Sequence, residues 1–227
     1  VDILVTALLT IFSGVGLSML IAAPIGAAAS QVGTLIMWAT EQAPLVMGIL
    51  VSVIVGVALT LPISSAAICA ALGLTGLAGG AAVAGCCAQM IGFAVMSYKE
   101  NGVGGLVSQG LGTSMLQMGN IVKNPRIWIA PTLASAITGP LATCVFHFEM
   151  NGAAVSSGMG TCGLVGQIGV YTGWVSDIAA GTKAAITPMD WAAMVLLCFV
   201  LPAVLSVIFC EIERKLGWIK EGDLKLN

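Results

Sequence analysis

Residues 191–210 read WAAMVLLCFVLPAVLSVIFC, twenty consecutive positions without an Asp, Glu, Lys or Arg. As a helix rising about 1.5 Å per residue, this run matches the roughly 30 Å hydrocarbon core of a bilayer. Comparable apolar runs occupy Ile3–Ala22, Leu45–Leu61, Ile68–Met96 and Ile127–Phe146. A shorter, Ala-rich run from Pro24 to Trp38, interrupted by Pro24, Gly26 and Gly33, reads as a span or a half-helix. Composition agrees. Of 227 residues, 58% are hydrophobic and 8% charged, and mean hydropathy is +1.04, whereas a soluble domain carries roughly a quarter charged residues. The expected fold is therefore an all-α polytopic integral membrane protein, with residues 1–227 forming one membrane domain of about five or six transmembrane helices. Ile68–Met96 spans 29 residues and contains Gly73, Gly76, Gly79, Gly80 and Gly85, so a break within it is expected. The first run lacks a basic leader and reads as a span rather than a cleavable signal. Because the chain starts at Val1, a preceding segment is expected.

Basic residues orient such a bundle. Lys99, Lys123, Arg126, Arg214, Lys215, Lys220 and Lys225 fall on one side if two Gly-rich stretches, Gly104–Asn120 and Ser156–Thr172, enter and leave without crossing. Glu149, Asp177, Lys183 and Asp190 then lie opposite. This assigns a cytoplasmic C-terminus, with a charged tail over 212–227 and Trp218 as an interfacial anchor; Trp128 and Trp174 are expected to mark the two interfaces.

Those two stretches repeat a motif. Glu100-Asn-Gly102 precedes Gly110-Leu-Gly-Thr-Ser114, and Glu149-Met-Asn-Gly152 precedes Gly158-Met-Gly-Thr-Cys162. Each copy continues to a glutamine, Gln117 or Gln167, and then to a single clear span. One span separates the copies, so they enter from opposite faces. The pattern suits two re-entrant hairpins in an inverted repeat over 99–148 and 149–211, with a solute site where they meet; Gly-rich helix packing is the other reading. No Gly-Lys-[Ser/Thr] and no strand–turn–helix context accompanies the glycines, which argues against nucleotide binding.

The candidate solute contacts are Thr113, Ser114, Gln117, Asn120, Thr161 and Gln167, whose hydroxyls and amides suit an uncharged polar ligand. His147 and Glu149 end the fourth run; they read either as a solvated turn or as groups reaching a cavity, Glu149 accepting from solute hydroxyls and His147 donating or carrying a proton. Gln89, deep in the third run, needs a partner, which is either another helix or the solute. Asp177 reads as a solvated loop acid. The cysteines at 69, 86, 87, 144, 162, 198 and 210 are odd in number, lack metal or redox spacing and read as small packing residues. No metal, cofactor or nucleic-acid partner is expected, and no catalytic constellation is assembled, so the chain does not read as an enzyme.

The block GLGTSMLQMGNIVKNPRIW (110–128), followed by PTLASA (131–136), GPLAT (139–143) and GMGTCGLVGQ (158–167), resembles the PfoR-type family of membrane proteins, classed with the phosphotransferase-system EIIC sugar permeases. The KEGDLK ending is also similar. The resemblance runs from about residue 45 onward and marks this sequence as similar to the C-terminal portion of longer members. It implies a bacterial inner-membrane permease for a sugar or related small polar solute, partnered by the lipid bilayer and by separate phosphotransferase-system proteins. A homodimer stays open. Some relatives are regulators, so the alternative is a membrane-embedded sensor that binds a ligand without transporting it. The leading expectation is transport by alternating access at a midplane site.

Overall fold

A computed structural model describes residues 26–226 together with Ile11 and Val15. Apart from those two helical positions, the first expected span lies outside the described residues. The described part is all-helical; among those residues only an isolated bridge between Gly76 and Met150 has β geometry. Helix α1 covers 26–42, α2 Pro44–Thr60, α3 Ser65–Leu72, α4 Gly76–Met96, α5 Tyr98–Val107 and α6 Met118–Lys123. After a 3₁₀ turn at Pro125–Trp128, α7 (Ile129–Pro140) runs on through a π turn at Leu141–Val145. Helix α8 is Val165–Ala179, and α9 (Pro188–Val195) joins α10 (Leu201–Lys215) through a π turn at Leu196–Val200.

Among the described residues, three rods are long and apolar enough to cross a membrane: Gly76–Met96, Pro125–Val145 and Pro188–Lys215. Helix α2 is a shorter apolar helix of 17 residues. The expected run Ile68–Met96 is indeed interrupted: α3 stops at Gly73, whose φ of 62° is left-handed, and α4 restarts at Gly76. Prolines begin α2 and α9 without cost, because the first helical N–H groups have no partner in the helix. Thr187 and Asp190 close the start of α9 with a reciprocal capping box.

Helix α4 is the axis of the bundle. It packs against α2, α7 and α10 and is buried along nearly its whole length. Gly85 makes this possible: a Cβ there would run into the carbonyl of Ser52 on α2. The outer faces of the other rods remain apolar, with Ile54, Leu133, Val204 and Ile212 all exposed. In water such a surface would be an aggregation liability, but against lipid tails it is ordinary.

All seven basic residues expected together do gather at the C-terminal end of α4. Lys99 pairs with Glu211 at 2.8 Å, Arg214 with Glu100 at 3.1 Å, and Arg126 lies 5.6 Å over the Trp218 ring. At the other end sit Glu149, Asp177, Asp190 and one base, Lys183.

Candidate functional site

The two Gly-x-Gly-Thr segments approach α4 from its opposite ends and touch. The second begins beside Gly76, where Gly76 and Met150 exchange backbone hydrogen bonds of 3.0 Å in both directions. It continues along α4: Ser157 donates to the Leu74 carbonyl at 2.7 Å, and Ser65 to that of Gly158 at 2.7 Å. Gly160, at φ 52°, sits so close to the α4 backbone that a Cβ would lie 2.7 Å from that of Cys86. Thr161 reaches Met90. From Gly76 to Met90 is about 21 Å along the helix axis at 1.5 Å per residue. Helix α8 then runs back, bringing Gly169 against Ser156 and Gly173 against Asn151. The first segment starts at the other end, where Gln109 donates to Ser97 Oγ at 2.8 Å, and it reaches Gly110 beside Ala94 and Ile91. Thr161 Oγ1 donates to the Gly110 carbonyl at 2.5 Å.

A buried polar network surrounds this contact. Gln89 Oε1 accepts from Trp128 Nε1 at 3.0 Å and from Thr60 Oγ1 at 3.3 Å, while its Nε2 lies 3.3 Å from Thr132 Oγ1. Thr60 also shares a 2.9 Å hydrogen bond with Ser114 Oγ. The amide thus joins α2, α4, α7 and the first segment, and it is fully buried. Of the two readings of Gln89, the geometry is that of helix–helix hydrogen bonding. Trp128, half-buried, directs its indole N–H to this amide.

Toward the Gly76 end, a cavity of about 600 Å³ opens between the end of the α7 rod, α8 and the start of α9. The π turn at Leu141–Val145 followed by His147 at φ 43° sets its wall. A non-glycine residue in that region costs on the order of 1 kcal/mol or more. The result is that Phe148 points into the core while His147 and Glu149 face the cavity. Asn151 Nδ2 bridges two carboxylates, at 3.1 Å to Glu149 and 2.9 Å to Asp177. Lys183 pairs with Asp190 at 2.9 Å and lies 5.6 Å over the Trp174 ring. Trp174 meets Trp191 edge-on at 5.6 Å, and Tyr171 stands 5.9 Å from Trp191. Carboxylate and amide acceptors on the wall of such a cavity can take the O–H groups of a polyhydroxylated solute.

The family model described as "Phosphotransferase system, EIIC" matches residues 1–226. The chain belongs to the phosphotransferase-system EIIC family. The match extends further toward the N-terminus than the sequence blocks quoted above. No curated protein matches the chain, and no solved structure does. Membership makes the chain a multi-pass membrane protein of a sugar-transport permease family, whose EIIC domains are transport components and not themselves catalysts.

The nine residues singled out from sequence fall into four places in this EIIC chain. His147 and Glu149 line the cavity. Gln89, Ser114, Thr161 and Gln167 belong to the buried centre, with Gln167 donating to Cys87 Sγ at 3.2 Å. Thr113 caps the 3₁₀ turn after the first segment by accepting from Met115 N. Gln117 and Asn120 turn instead to the C-terminal tail, donating to the carbonyls of Leu224 and Lys225 at 3.0 Å each. Asn151, Trp174, Lys183 and Asp190 complete the cavity, although sequence reasoning had not singled them out as contacts. The duplicated Asn-Gly at 101–102 and 151–152 was the available signal for Asn151.

Proposed function

We propose that the chain is the solute-translocating membrane part of an EIIC permease. In this reading the 600 Å³ cavity receives a sugar, and the contact between the two Gly-x-Gly-Thr segments is the gate beneath it. Residues 99–148 and 149–211 act as oppositely oriented halves of an inverted repeat, each a re-entrant hairpin followed by a membrane-crossing rod. Alternating access follows from separation of the two hairpins at Thr161 and Gly110, which opens the site to the far side. The positively charged end, with the C-terminus, faces the cytoplasm by the positive-inside rule.

One observation carries the reading: two segments of like sequence, approaching α4 from opposite ends, meet through Thr161 and Gly110. Irregular backbone at that depth is tolerated where it is buried in protein or lines a wet cavity. Glu149 and Asp177, bridged by Asn151, accept from sugar hydroxyls.

The test is uptake of labelled hexoses, pentoses and hexitols by proteoliposomes, with and without soluble phosphotransferase-system proteins. A cysteine pair replacing Gly110 and Thr161 is expected to stop uptake when oxidised and to restore it when reduced. Equal uptake in both redox states would overturn the gate. Saturable sugar binding without uptake under any condition would favour the sensor alternative.

A further inference from the structure

Glu213 lies on α10 with 4% of its surface exposed, and neither carboxylate oxygen has a hydrogen-bond partner among the described residues. Ser206 and Cys210 share its face at helical spacing, both buried, and Ser206 Oγ is likewise without a partner. Ser206 packs on Gly92 of α4. Among the described residues, no charge is positioned to balance an ionised Glu213. Helices α4 and α7 contain no Asp, Glu, Lys or Arg. On α10 itself Arg214 is directed to Glu100 and Glu211 to Lys99, and Lys215 faces outward. Arg126 lies over Trp218, and Asp223 accepts from Asn124 at 2.8 Å and from the Lys220 amide at 2.9 Å. Tyr98, Lys123, Lys220, Glu221 and Lys225 are exposed. An unpaired buried carboxylate in such surroundings holds its proton, because the charged form would be stranded without water or a cation.

The chain after α10 folds back over this region. Gly217 N donates to the Arg214 carbonyl at 3.0 Å and Trp218 N to that of Glu213 at 2.9 Å, which reverses the chain. In the strap that follows, 216–226, Ile219 and Leu224 are buried in one cluster with Cys210, Phe93, Met96 and Ile121. Its backbone is held by amides of the first hairpin: Asn101 Nδ2 to the Leu224 carbonyl at 2.8 Å, Leu226 N to Asn101 Oδ1 at 2.8 Å, and Asn124 Nδ2 to the Trp218 carbonyl at 2.9 Å. Gln117 and Asn120 add the two bonds described above. The strap is therefore fastened to the hairpin on one side and rooted at Glu213 on the other.

We propose that Glu213 is a proton-binding site whose occupancy fastens the C-terminal strap to the first hairpin. When the proton leaves to bulk water, the carboxylate requires hydration. Lifting the strap supplies water with the least rearrangement, because α4, α7 and α10 are packed together along their lengths. The seated strap binds one more proton than the lifted one, so seating is favoured at low pH and weakens as pH rises. The proton site and its test stand apart from the transport reading.

Hydrogen exchange of the purified full chain in detergent reads the strap directly. Wild type is compared with Glu213→Gln at matched pH from about 5 to about 9, above the ordinary glutamate value of about 4.3. Wild-type protection over 216–226 is expected to fall by up to about tenfold per pH unit, the slope of a single linked proton, while Glu213→Gln stays protected throughout. Exchange in α4 serves as the folding control. The same pH profile in both proteins, or a wild-type strap indifferent to pH, overturns the proposal. Should the variant fail to fold, infrared spectroscopy of the wild type decides: a protonated-carboxyl stretch must vanish in step with strap release, and its absence overturns the site.

Discussion

Thr161 Oγ1 and the Gly110 carbonyl, 51 residues apart in sequence, meet at 2.5 Å between two segments that carry the same Gly-x-Gly-Thr motif. The hydroxyl is fully buried, so no water replaces it if it is lost. Thr161→Val keeps the shape and removes the donor. An unpaired buried carbonyl costs about 1–3 kcal/mol, and denaturant unfolding should register a loss of that size, with reduced uptake. Thr161→Ser retains the donor and should remain close to wild type. Equal stability of the two variants would show that the contact contributes nothing.

Gln89 presents the opposite case, an amide whose role lies between helices. Gln89→Leu strands Trp128 Nε1 and leaves Thr60 and Thr132 short of a partner. The expected loss is about 2–4 kcal/mol, with a change in tryptophan emission that is absent when Trp128 is replaced by Phe. A variant as stable as wild type would mean that water or a rearranged hydroxyl satisfies the site.

In the cavity, Glu149→Gln and Asp177→Asn each remove a charged acceptor without disturbing the core. Glu149 is exposed and Asp177 half-buried. Each should weaken sugar binding by about tenfold, equal to about 1.4 kcal/mol, and shift unfolding by less than about 0.5 kcal/mol. Titration with labelled sugar checks this. An unchanged affinity in the double variant would place the solute elsewhere.

How far the sequence carries depends on the range of the interaction. The rods are legible because lipid imposes its signature on each run by itself: Ile127–Phe146 and Trp191–Cys210 fall within the rods Pro125–Val145 and Pro188–Lys215, save for Phe146 at one edge. The basic residues can be assigned to one end for the same reason. Gln117 and Asn120 show where this stops. As polar residues in a Gly-rich loop they suit a solute equally well, and only the folded chain brings Leu224 and Lys225, more than a hundred positions away, to their amides. Asn151 and Asp177 likewise come together only because α8 turns back on the segment before it. The π turn ahead of His147 has no local composition that distinguishes it from the helix it interrupts.

Two glycines separate packing from propensity. At Gly85 the neighbour is the Ser52 backbone on α2, so Gly85→Ala cannot be relieved by a rotamer change and must push the α2–α4 crossing apart. Overpacking of this kind costs about 1–3 kcal/mol, and the loosened crossing also separates Ser52 from the Ser135 carbonyl it meets at 2.8 Å. Gly104, on α5, has nothing within 4 Å of an added Cβ and a negative φ. Gly104→Ala should therefore stabilise by about 0.4–1 kcal/mol, by narrowing the unfolded ensemble. Thermal unfolding of the two variants in one detergent is expected to move in opposite directions. If both fall together, the close approach of α2 to α4 is not what requires glycine at position 85.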